Sequence, residues 1–196
     1  MEMQFKIRSE DIREIALMIL FLLYGRLGRR QISSYLNIGE GVTKKMIRNL
    51  SNQGLVDVKR GGGSLSGKGL ENLQDKLSKF KIISVNVFDA EEICPNCKGI
   101  GFLLRNLPPL RLIEVRDEAV RGGARGALII KVKEGKLFLP PNLGNLRDYF
   151  PLLAREIEEN FEIKEGDTII LAFSENIGEA IIGGLKASIL ASTCYR

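Results

Sequence analysis

Apolar residues recur at helical spacing early in the chain: Ile12, Ile15, Ala16, Ile19 and Leu23 follow Ser9, a suitable N-cap, with Glu10 and Asp11 in the first turn. This predicts a helix that ends at Gly25 or Gly28. Leu17, Met18, Leu20, Phe21 and Leu22 fill its other faces, and a helix apolar all round is buried on several sides. The expected cover is a partner subunit or the second half of the chain; the alternative is a thick core around one central helix. Residues 30–36 read as a short second helix with Ile32 and Leu36 inward, and Asn37-Ile38-Gly39 as a tight turn. A third helix is predicted over residues 40–52. Its inner stripe is read as Val42, Met46, Ile47 and Leu50, with Thr43, Lys44, Lys45 and Arg48 on the opposite face and Gly54 as the stop. Residues 55–60 alternate as a strand, Gly61-Gly62-Gly63 makes a hairpin tip, and a helix follows over residues 68–80.

The second half mixes periods. Residues 81–88 read as a strand, followed by a loop that ends at Pro108-Pro109. A helix is expected over 110–123, with Leu112, Ile113, Ala119 and Val120 apolar. A hairpin over 127–139 turns at Glu134-Gly135 and stops at Pro140-Pro141. An amphipathic helix (145–160), an apolar strand (167–173) and a closing helix (177–191) complete the pattern. The expected fold class is α+β: a helix-turn-helix domain with a glycine-tipped wing over 1–80, and a small C-terminal α/β sandwich-like domain over 81–196.

Charge separates the halves. Residues 1–80 hold 14 Lys/Arg against 8 Asp/Glu, a balance of +6; residues 81–196 hold 15 against 16, a balance of −1. A basic module beside a near-neutral one points the first half at a polyanion. The charged start of the chain does not read as a secretion signal. The longest apolar run, residues 15–24, falls short of the roughly 20 residues a bilayer needs. A cytoplasmic protein with no membrane partner is expected. The chain has no histidine, which excludes Ser-His-Asp and Cys-His nucleophile systems and all His-ligated metal sites. No paired carboxylates, phosphate loop or nucleophile–base pair stands out, so no catalytic residue is expected.

The junction Leu50-Ser51-Asn52-Gln53-Gly54-Leu55-Val56 resembles the "leucine, three residues, Gly-Leu-Val/Ile" step common to winged-helix repressors. Residues 36–43 resemble the helix-turn-helix of bacterial sugar-responsive and glycolytic-gene repressors, and Leu65-Ser66-Gly67-Lys68-Gly69 resembles the exit from the wing in that superfamily. Across the second half, Arg116-Asp117-Glu118-Ala119, the run 122–127 and the run 174–180 are similar to the C-terminal part of an archaeal family. That family joins a winged helix to an α/β domain of unknown function. The resemblance implies a transcription regulator and names no ligand.

These readings converge on a transcription regulator whose first half binds double-stranded DNA, as a homodimer on two-fold half-sites; the alternative is a protein-binding winged-helix adaptor. The third helix would enter the major groove, with Lys44, Lys45 and Arg48 on phosphates or guanine edges and Thr43 on a phosphate or thymine methyl. Lys59 and Arg60 would serve the wing, and Arg29 and Arg30 would clamp the flanking backbone. In the second half, Ser174 and Asn176 sit where an open α/β sheet would border a crevice, and Arg116, Arg121 and Arg125 could hold a small anionic effector. The bland alternative is that Ser174 or Asn176 caps the last helix and the arginines are solvated.

Cys94-Pro95-Asn96-Cys97-Lys98-Gly99-Ile100-Gly101 resembles one repeat of the zinc region of Hsp40-type chaperones. Two thiolates at this spacing can share a metal, but zinc takes four ligands. Three readings stay open: two copies build a four-cysteine site across a two-fold axis; Cys194 and a carboxylate complete a zinc site within the chain; or the pair is a disulfide or a metal-free turn. A redox pair of the thioredoxin sort lacks its strand-to-helix setting.

Overall fold

α1 (Ser9–Tyr24) begins with Glu10 and Asp11 against the helix dipole and ends at Gly25, whose φ of 70° only glycine adopts freely. The computed structural model describes residues 8–141 and 143–193. Those residues form a mixed α+β fold with two antiparallel sheets, and the chain divides between Leu73 and Gln74 into two compact units. Leu17, Met18 and Leu20, the apolar surplus of α1, have no exposed surface; Leu22, at 41% exposed, is the outward-facing remainder. No helix among the described residues is long and apolar enough to cross a membrane.

In the first unit α2 (Arg29–Leu36) starts where Gln31 Oε1 accepts the Gly28 amide at 2.8 Å. It stops at Asn37, in the left-handed region at φ 50°. α3 (Glu40–Asn52) follows within three residues. β1 (Val56–Lys59) and β2 (Gly62–Leu65) pair antiparallel, Val56 opposite Leu65 and Lys59 opposite Gly62. The hairpin is held to the link between α1 and α2 by a two-way bond between Leu27 and Gly63, each amide 2.9 Å from the other's carbonyl. Gly62 permits this approach: a Cβ there would lie 2.2 Å from Leu27 O, and its φ is 139°. Ser66 then caps α4 (Gly67–Ser78), its hydroxyl accepting the Gly69 amide at 2.9 Å.

The second unit is built on a six-stranded, wholly antiparallel sheet in the order β3-β4-β8-β5-β6-β7. The strands are β3 (Ile82–Asp89), β4 (Lys98–Leu104), β5 (Gly126–Lys133), β6 (Lys136–Leu139), β7 (Gly144–Asn145) and β8 (Thr168–Ser174). One face packs Leu103, Ile169, Leu171 and Ile130 against Leu153, Ala154 and Ile157 of α6 (Pro151–Asn160). The other face carries α7 (Ile177–Ser192), where Gly184 sits over Phe102 and Ala172, and α5 (Leu112–Arg121) beside it. α5 and α7 cross closely at Gly183, where a Cβ would meet Ala119 O at 2.5 Å.

Two expected elements are corrected. Residues 98–104, expected within a loop, form central strand β4; it is covered on both faces, so its apolar run is continuous instead of alternating. The expected helix over 145–160 is three pieces: β7, a 3-10 turn (Leu146–Asp148) and α6. Pro151 lacks an N–H and drives Phe150 out of the helical region (φ −136°, ψ 74°), so α6 can begin only at Pro151.

Candidate functional site

Lys44, Lys45 and Arg48 lie exposed on the outer face of α3, while Met46, Ile47 and Leu50 are buried. Lys59 and Arg60 are exposed where β1 enters the hairpin turn, and Arg29 is exposed at the start of α2. None of these six makes an ion pair among the described residues, so their charge is available to a partner. Arg30 differs: its Nε lies 3.6 Å from Glu40 Oε1, which partly neutralises it. A further cation was missed by sequence reading. Arg26 reaches the hairpin, donating to Gly62 O at 3.0 Å and to Ser64 Oγ at 3.4 Å, and thereby braces it.

Thr43 is a correction. It has no exposed surface, and its hydroxyl donates to Gly39 O at 3.2 Å. The inner stripe is 43-46-47-50, and Val42, expected inside, is 47% exposed. Both choices fit helical spacing to Met46; the hydroxyl's bond to the preceding turn lets threonine occupy the inner position without an unmet donor. Thr43 therefore cannot touch DNA.

The second unit holds a cavity of about 940 Å³. Leu112, Ile113 and Arg116 of α5 wall one side, and Leu139, Tyr149 and Phe150 the other, with β5 between them. Of the residues predicted to hold an anion, Arg116 and Arg125 line this cavity; Arg121, Ser174 and Asn176 do not. Arg125 is engaged by Glu175 at 2.6 Å and Arg121 lies 3.7 Å from Glu118. The Ser174 hydroxyl donates to Glu179 Oε2, and the Asn176 side chain accepts the Gly178 amide, capping α7. The crevice expected at Ser174 belongs to open parallel sheets, and this sheet is antiparallel, so that argument does not apply.

Two further groups shape the same sheet. Asp167 is buried and accepts from Arg105 at 2.8 and 2.7 Å and from the Lys164 amide at 2.9 Å. Burial pushes its carboxyl upward, but these bonds outweigh burial and hold it below the usual carboxylate range. Lys131 donates to Thr168 Oγ1 at 2.8 Å, and burial lowers its pKa.

Cys94 and Cys97 are joined as a disulfide in the loop between β3 and β4, and both side chains are buried beside Ala90, Ile93 and Phe173. Among the described residues no group of three or more Cys, Asp or Glu is placed to hold a metal ion. Cys194 lies outside the described residues.

The chain is thus a two-unit α+β protein, with a cationic helix and hairpin in one unit and a pocketed antiparallel sheet in the other. Residues 11–71 match the family model described as PH0730-like, N-terminal domain, and residues 95–191 match the one described as Domain of unknown function (DUF4443). The chain is similar along most of its length to a solved archaeal structure, hypothetical protein PH0730 from Pyrococcus horikoshii OT3. The identity is 28%, 91% of each chain is covered, and the TM-score is 0.74. No curated protein matches the chain.

Proposed function

We propose that the first unit is a winged helix that binds duplex DNA and that the protein regulates transcription, as a homodimer on two-fold half-sites. The observation that carries this reading is the clustering of Lys44, Lys45 and Arg48 on the outward face of α3, without ion-pair partners, next in sequence to a hairpin bearing Lys59 and Arg60. Three helices followed by an antiparallel hairpin is the winged-helix order, with α3 in the position of the recognition helix and the hairpin as the wing. Lysines supply phosphate contacts that set register, and an arginine such as Arg48 can read guanine bidentately.

The test is nuclease footprinting of the purified chain on the DNA upstream of its own coding region. The wild type protects a discrete site, and K44A/K45A/R48A does not. A footprint unchanged in the triple variant overturns the assignment of α3. No duplex retained by the wild type, with the fold intact by circular dichroism, overturns DNA binding in favour of the adaptor.

A further inference from the structure

We infer that the cavity of the second unit binds an extended peptide, which adds as a strand to the open edge of β5. β5 pairs with β8 from Gly126 to Lys131 on one side, but on its other side β6 covers only Lys131 to Lys133. The direction of the free groups follows from the ladder. The Val132 amide donates to Asp167 O at 2.9 Å, and its carbonyl accepts from Gly166, so Val132 faces the β8 side. Backbone polar groups alternate along an antiparallel strand, so Leu128 and Ile130 face β8 too, while Ala127, Ile129 and Lys131 face away. Lys131 meets Phe138 of β6. β6 then ends at Leu139, and Pro140, which follows, has no N–H to offer Ile129. No described residue hydrogen-bonds the Ala127 or Ile129 backbone from that side. Two N–H and two C=O groups therefore open toward the cavity from residues that are 7% and 8% exposed overall. A strand edge left open in this way is a template for a ligand's own backbone.

The cavity has the shape that a strand needs. It straddles the plane of the sheet: Leu128 belongs to the α6 face, and Ala127 and Ile129 to the α5 face, and all three line it. A strand laid along β5 would send alternate side chains among Leu139 and Phe150 on one face and against Leu112 and Ile113 on the other. Ile113, 76% exposed, and Leu143, 58% exposed, are apolar surface that such side chains would cover. Open edges are usually blunted by charge, and the lining of this one is mainly apolar. Arg116 lines the cavity without an ion pair among the described residues, which gives the peptide's carboxylate a counter-charge. The occupant is thus a strand of about five residues, with methyl-bearing side chains such as Val and Thr on both faces and carrying an acid; backbone bonds supply affinity, and the two apolar walls supply selection. This inference does not rest on DNA binding, and its readouts involve the second unit alone.

The probe is fluorescein-labelled Ser-Val-Thr-Val-Thr-Val-Glu with a free carboxylate, titrated with the full chain and followed by anisotropy. Saturable binding is expected, weakened at least about tenfold when every peptide nitrogen is methylated, which removes the strand's donors but keeps its side chains. R116Q is expected to weaken binding severalfold. Amide exchange gives an independent reading: Ala127 and Ile129 exchange faster than Leu128 and Ile130 in the free chain, and the peptide slows them. Equal binding of the methylated peptide overturns the inference. So does equal protection of all four amides in the free chain. Saturable binding of dodecanoate without binding of the peptide also overturns it, in favour of a small apolar acid.

Discussion

The charge arrangement of α3 and the hairpin makes a quantitative demand on DNA binding. Arg29, Lys44, Lys45, Arg48, Lys59 and Arg60 are exposed and without ion pairs among the described residues, whereas Arg30 is partly spent on Glu40. If each of the six displaces counterion at a phosphate, log K for one subunit on one half-site falls against log salt with a slope of about −5, at roughly 0.9 per contact. A rise from about 50 to 200 mM salt then cuts affinity by about 10³. K44A/K45A/R48A removes half of these contacts, so its slope is about −2.7 and the same rise in salt costs it only about 40-fold. The variant should therefore lose most at low salt and approach the wild type as salt rises. The assay is anisotropy of a labelled duplex carrying one half of the footprinted site, so that one subunit engages it, titrated at five salt concentrations. Parallel slopes for the two proteins would refute the phosphate role of α3. A wild-type slope shallower than about −2 would refute the wider footprint.

D167N should destabilise the second unit by about 3 kcal/mol at pH 7, because it strips the charge from two short bonds to Arg105 and leaves that cation without its buried partner. Asp167 is held below its ordinary value, so its contribution is present above about pH 4 and lost as pH falls through the folded value; the gap between wild type and variant in urea melts should close there, and a gap constant from pH 7 to 3 would contradict the pairing. G62A should cost the first unit about 2–4 kcal/mol, since its Cβ would collide with Leu27 O in a backbone region closed to alanine; an unchanged melt would mean that the hairpin does not dock on Leu27 as described. Iodoacetamide should label neither Cys94 nor Cys97 in the denatured chain until a reductant is added, as read by peptide mass; labelling without reductant would show free thiols and contradict the disulfide.

The elements of the first unit were legible because each is announced locally: Asn37 and Gly54 mark ends that need left-handed backbone, and α3 falls where the apolar period places it. The period alone could not choose between Val42 and Thr43, since both sit one turn from Met46; the buried hydroxyl's bond to Gly39 settles it, and composition does not reveal that bond. β4 was hidden for a related reason. Burial on both faces erases the alternation that identifies a strand, and the glycines of its first half look like those of a loop. The arginines of the second half were visible as cations, but their ion pairs depend on contacts across the fold: Arg125 meets a residue 50 positions away. The cavity was the least legible feature. Pro140-Pro141 is readable as the end of β6, yet its consequence appears only through register. Because Lys131 pairs with Phe138, the strand stops one residue before it could serve Ile129, and a proline stands where the next donor would be. Whether that edge stays open is therefore set by the length of one hairpin arm. Lengthening β6 by two residues between Leu139 and Pro140, both of which line the cavity, should place a donor opposite Ile129, close the edge and abolish peptide binding.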